Sequence, residues 1–240
     1  MKWLLRFLTV LIVIPAMELF AQPGGWSLSI AAKGNYTTTS RVFYNPDSPS
    51  NDIRGQYVNL DNIYGAAVEI RLKRPDDNFF LSFSVEYLSK LQDQVQSVAF
   101  VGPPRRAPVT DGFRLIPVEI GANVFIPLGS ERVRLSMGGG GGVYFGTRIL
   151  AVGGVDAPQQ NKPAGFGIHV ESSFDYRVIP RVAVRGEMRF RDPEVIAENR
   201  FDKPFAVYNG LTIPLPVDNF RTRINVNGLS FSLGVVFDVL

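Results

Sequence analysis

Five consecutive glycines, Gly138 to Gly142, stand in RLSMGGGGGVYFGTR (134–148), and a glycine run is what a phosphate-cradling turn requires. Such turns space their glycines as G-x-G-x-x-G, or close the run with GK followed by Ser or Thr. Neither pattern is present. A second set with chemical potential surrounds His169, the only histidine, which is followed at intervals of two by Glu171, Ser173 and Asp175. Residues two apart share one face of a strand. A base, a hydroxyl and two carboxylates on one face allow a hydrolytic reading, but the plainer one is membership of a buried polar network. The carboxylate pairs Asp47/Asp52 and Asp76/Asp77 lack the spacing of a calcium loop and read as solvated turns. With no cysteine in the chain, thiolate metal sites and disulfides are excluded, and no cofactor or metal site is expected.

What positions these residues is a strand pattern. In 26–36, Trp26, Leu28, Ile30, Ala32, Gly34 and Tyr36 share one face, and Ser27, Ser29, Ala31, Lys33 and Asn35 share the other. The alternation recurs at 64–73, 79–87, 115–126, 132–145, 165–176, 182–190 and 229–239. A tilted strand crosses a bilayer in about 9–11 residues, close to the length of these segments. Within the eight windows stand fourteen charged side chains, all on the face opposite the apolar residues. They include Lys33, Glu69, Arg71, Glu86, Glu119, Arg134, Glu171, Arg185, Glu187 and Arg189.

Connections alternate between short and long. RPDDN, PLGSE and RVIPR are short, whereas 37–63, 88–114, 146–164 and 191–228 are long. Short turns on one side and long loops on the other mark an antiparallel up-and-down transmembrane barrel of eight strands. In the last loop, Asn209-Gly210 between apolar runs predicts a small hairpin. The aromatic loop residues Phe43, Tyr44, Phe100, Phe201, Phe205 and Tyr208 are expected to pack loops together or to form a contact surface.

Alternation alone also fits a soluble, lipocalin-like barrel with its apolar face inside. Side-chain size argues against that arrangement. The polar face is crowded with Gly, Ala and Ser, which a narrow eight-stranded interior needs beside charged groups. The apolar face carries aromatics near both strand ends, Trp26, Phe79, Tyr176 and Phe237 at one and Tyr36, Tyr64, Tyr87, Phe145, Phe166 and Phe190 at the other. Two aromatic girdles around an aliphatic band suit lipid. The glycine run then lies within a strand, sparing lumen volume or permitting close approach.

The fourteen lumen charges divide into seven basic and seven acidic. A balanced set in a low-dielectric space must pair, since an isolated buried charge costs several kcal/mol. The expected lumen network comprises Lys33, Glu69, Arg71, Glu86, Glu119, Arg134, His169, Glu171, Arg185, Glu187 and Arg189. His169 faces inward, away from any lipid substrate, so no catalytic role is expected.

The start, MKWLLRFLTVLIVIPAMELFAQ, has the charged, apolar and small-residue regions of a secretory signal, placing residues 1–21 in a signal peptide and 22–240 in the barrel. Taking Lys2, Arg6 and Glu18 from 25 basic and 22 acidic residues leaves 23 and 21, too even a balance to attract nucleic acid.

The stretch LIPVEIGANVFIPLGSERVRLSMGGGGGVYFG (115–146) and the closing strand LSFSLGVVFDV resemble small bacterial outer-membrane β-barrel domains of the OmpA/OmpX, OmpW and opacity types. The resemblance implies residence in the cell outer membrane, contact with its lipid, insertion by the barrel-assembly machinery and surface ligands bound through outer loops. It also implies, as alternatives, an OmpW-like passage for small hydrophobic molecules or a lipid-modifying barrel enzyme. Pro117 in the fourth strand is a hint of the passage, because proline removes a ladder hydrogen bond. The family's barrels often end in an aromatic residue, whereas here Phe237 lies three positions before Leu240.

Overall fold

A computed structural model describes residues 26–73, 78–98, 103–127 and 132–239. Residues 1–21, where a signal peptide is expected, and Asp76, Asp77, Phe100 and Leu240 lie outside the described residues.

The chain forms β1 (Ser27–Phe43), a single helical turn α1 (Asn51–Arg54), β2 (Tyr57–Lys73), β3 (Phe79–Val98), β4 (Arg105–Ile126), β5 (Val133–Val152) and β6 (Val155–Asp156). It continues with β7 (Ala164–Ile179), β8 (Val182–Arg191), β9 (Glu194–Asn199), β10 (Phe205–Tyr208), β11 (Leu211–Pro214), β12 (Phe220–Asn225) and β13 (Leu229–Asp238). Antiparallel pairing runs β1–β2–β3–β4–β5–β7–β8–β13 and returns from β13 to β1, closing a ring of eight strands. All eight strands join the ring, and closure is the condition for a sheet to stand in hydrocarbon; β2 and β3 stay paired from Lys73–Phe80 to Tyr64–Ser89 and part beyond.

The wall is two-faced. Glu119 is 1% exposed beside Ile120 at 66%, and Arg185 is 1% exposed beside Val184 at 39%. Tyr64, Tyr87, Phe145, Phe166 and Phe190 are exposed on the outer face toward one rim, and Phe79, Tyr176 and Phe237 toward the other. Charge is inside and grease is outside.

The four segments taken as outer loops are in large part strand. β1 runs on to Phe43, β2 begins at Tyr57, β3 reaches Val98, β4 begins at Arg105 and β5 reaches Val152. The 20 residues of β3 span roughly 65 Å at the usual strand rise. A lipid-facing band is only about 25 Å tall, so the strands continue far past it. Beyond the band the apolar-out pattern lapses, while backbone pairing does not need it. The segment 191–228 likewise adds no further strand to the ring. Its β9 and β12 pair with one another and continue β8 and β13 beyond a break at Pro193 and Gly228. The third short turn is tighter than RVIPR, because β7 runs to Ile179 and Arg181 turns the chain at φ 70°.

A one-residue irregularity also resets the faces. Between the pairs Thr37–Ile63 and Thr39–Asp61, with Asn62 at φ 57°, the buried side of β1 passes from Thr37 to Ser40 and Val42. The pairing register is unchanged across this point, and β2 switches with β1, its buried side passing from Ile63 to Leu60. At Asn209-Gly210, φ values of 49° and 74° join β10 to β11 in the predicted hairpin.

The glycine run lies in β5 where the wall is tightest. A Cβ on Gly140 would collide with the Ile120 carbonyl oxygen, and one on Gly142 would lie 2.6 Å from that of Val118. The run allows β4 and β5 to approach closely.

Candidate functional site

The lumen is filled in layers. Toward the short-turn end, six buried carboxylates, Glu69, Glu86, Glu119, Glu171, Asp175 and Glu187, meet five buried cations, Lys33, Arg71, Arg185, Arg189 and Arg191. Strand alternation places them, since each occupies an inward position of its strand. Lys33 Nζ donates to Glu69 at 2.5 Å and to Glu187 at 2.8 Å. Arg185 grips Asp175 with Nε and Nη2 at 2.6 and 2.7 Å, and its Nη1 donates to Glu69 at 3.1 Å. Two-pronged guanidinium–carboxylate contact fixes geometry as well as charge.

Other pairs cross the barrel. Arg71 of β2 donates to Glu69 and, at 3.1 Å, to Asp175 of β7. Arg189 of β8 donates to Glu119 of β4 at 2.5 Å and stands 2.6 Å from Glu171. Arg191 of β8 donates to Glu86 of β3 at 2.6 Å, and Glu86 also accepts Asn35 Nδ2 at 2.5 Å. Tyr144 donates to Glu119. The network ties strands that are not neighbours in the ring.

His169 does not assemble a hydrolytic set with the residues that follow it. Its Nδ1 is 3.7 Å from Glu119, Ser173 shares a 2.6 Å hydrogen bond with Ser136, and Asp175 is held by Arg185. Arg134 is the member of the expected network that stands apart. It is exposed at the short-turn mouth, opposite Asp175 in the β5–β7 register.

Above the ions lies an apolar layer of Val42, Leu60, Ile63, Leu88, Phe113, Leu115, Tyr144, Val195, Ile224 and Val226, all fully or almost fully buried. Above that, Arg148 donates to Asp111 and, at 2.7 Å, to the Gly112 carbonyl. Tyr44 reaches from the end of β1 to Asp111 at 2.8 Å. Burial, and then the Asp111 carboxylate, push the Tyr44 phenol above its ordinary pKa, so it remains a donor. A second apolar cluster closes the long-loop end, where Ala206 and Ile213 of the β10–β11 hairpin pack on Val109 of β4 and Leu150 and Val152 of β5. Phe201 is buried in this cluster and stacks on Phe220, whereas Phe205 is exposed.

Sequence reasoning missed Arg191, Arg148 and Asp111 as lumen groups because it placed them in loops. The available signal was phase. Arg191 continues 185, 187 and 189, Arg148 continues the even inward positions of β5, and Asp111 continues the odd ones of β4.

A closed eight-stranded ring with an apolar, aromatic-girdled outer face and an ion-paired interior has the fold of a small transmembrane β-barrel. Comparison with one solved structure agrees on the fold. The chain is similar to the outer membrane protein OprG of Pseudomonas aeruginosa, with 13% identity over 92% of this chain and 98% of that one, at a TM-score of 0.52. It is also similar to Neisserial surface protein A (15% identity, 89% and 98% covered, TM-score 0.45) and to Ail of Yersinia pestis (12%, 90% and 99%, 0.41). No protein-family model matches the sequence, and no curated protein matches it either.

Proposed function

We propose that the chain is exported by residues 1–21, inserted into the outer membrane by the barrel-assembly machinery, and serves there as a closed, non-enzymatic barrel. Its work is structural or is contact at the cell surface through the long-loop end. The observation that carries this reading is the double filling of the lumen among the described residues, paired ions below and a buried apolar layer above. The β10–β11 hairpin, whose outer face bears exposed Phe205, Val207 and Leu211, is the surface offered to a ligand. The absence of cysteine makes the orientation simple to test. In intact cells a membrane-impermeant maleimide is expected to label Val207→Cys and to spare Ser27→Cys at the short-turn end. Labelling only the latter would reverse the assignment of ends.

A second reading, an OmpW-like passage for small hydrophobic molecules, is favoured by one feature. The pairing of β2 with β3 stops at Tyr64–Ser89, although both strands continue, so the wall parts beside the apolar layer. Expression that speeds uptake of an apolar dye into cells, and loses that effect on Leu88→Trp, would support passage over closure.

A further inference from the structure

At the short-turn end the lumen widens into a cavity of about 200 Å³ whose walls carry Arg71, Lys73, Arg132, Arg134 and Arg177. Only two carboxylates line it among the described residues, Asp175 and Asp238, and both have partners. Asp175 is held by Arg185 and Arg71, and Asp238 accepts Ser29 Oγ at 2.7 Å. Arg71 and Asp175 belong also to the buried ionic layer, whereas Arg134 and Arg177 stand at the mouth outside it.

Two of the cations lie over aromatic rings. Phe80 and Phe125 pack with ring centres 4.9 Å apart; the Arg71 guanidinium lies 4.9 Å over Phe80 and the Lys73 ammonium 4.9 Å over Phe125. The Phe80 face fixes the plane of the Arg71 guanidinium. Nη2 of the buried Arg71 has no hydrogen-bond partner. Positive groups converging on a recess with low-dielectric walls focus their field there.

We propose that this mouth is an anion-binding site for a phosphate group. Arg71 forms its fixed back wall, and Arg134 and Arg177 are its outer clamps. Planar guanidinium forks match phosphate oxygens in pairs. The phosphate belongs to a soluble phosphate compound or to the headgroup of an anionic phospholipid, and guanidinium recognition of its oxygens is the same for both. The site does not depend on whether the lumen is closed higher up.

The test uses inorganic pyrophosphate as the probe, titrated calorimetrically into the full barrel in nanodiscs of phosphatidylcholine. Saturable binding is expected, weakened at least tenfold in Arg134→Gln/Arg177→Gln, whose folding is verified by heat-dependent gel mobility. Repeating the titration in phosphatidylglycerol nanodiscs separates the sources. Equal affinity assigns the site to soluble phosphates, and weaker binding there assigns it to the headgroup. No saturable binding by the parent protein, or equal affinity in the double variant, overturns the proposal.

Discussion

Two stretches of one lumen solve the same filling problem with opposite chemistry. Below, guanidinium and carboxylate groups span the barrel, as in Arg191 to Glu86 and Arg71 to Asp175. Above, Leu60, Leu88, Phe113 and Ile224 close the space by contact alone. The lower layer is a set of mutual obligations, because each charge is tolerated only while its partner stays. The upper layer is a sum of independent burials. Damage to the two should therefore differ in kind.

The largest loss is expected in the ionic layer. Arg185→Met leaves Asp175 and Glu69 short of their partner and should cost about 3–5 kcal/mol, read as a lowered urea midpoint in lipid vesicles. Exchanging both members of one contact sharpens the contrast. Lys33→Met/Glu187→Gln should destabilise less than Lys33→Met alone, because no orphan of that contact remains. In the apolar layer, Leu88→Ala should cost about 3 kcal/mol in the same assay, and should add to a second truncation far from it. Gly140→Ala, which drives a methyl group into the Ile120 carbonyl, should cost about 1–3 kcal/mol by forcing β4 and β5 apart. The smallest effect belongs to the surface hairpin, where Val207→Ser should stay within about 0.5 kcal/mol.

The same contrast explains what could be read from the sequence. Within the lipid band, alternation was legible because hydrocarbon outside and ions inside enforce opposite chemistry on successive residues, as in Glu119 and Ile120. Above the band that enforcement ends. Phe113 and Leu115 turn inward although apolar, Leu91 and Val95 remain exposed on the outside, and Gln92, Gln94 and Gln96 take the inner face of β3. A reader of apolar periodicity therefore stops the strand where lipid stops, about ten residues too soon in β3, and loses Arg148 and Asp111 with it. The phase change near Asn62 was illegible for another reason. It depends on a left-handed backbone at one residue, which Asn tolerates without announcing. The partners within the ionic layer depend on which strands face one another across the ring, and the sequence orders strands only along it.

The most direct measurement of a sealed lumen is ionic current through the purified barrel inserted in a planar bilayer, with insertion verified by gel mobility of the recovered protein. Closure predicts no steady unitary conductance at any applied voltage that the bilayer survives. A stable open current from the unaltered protein would contradict it.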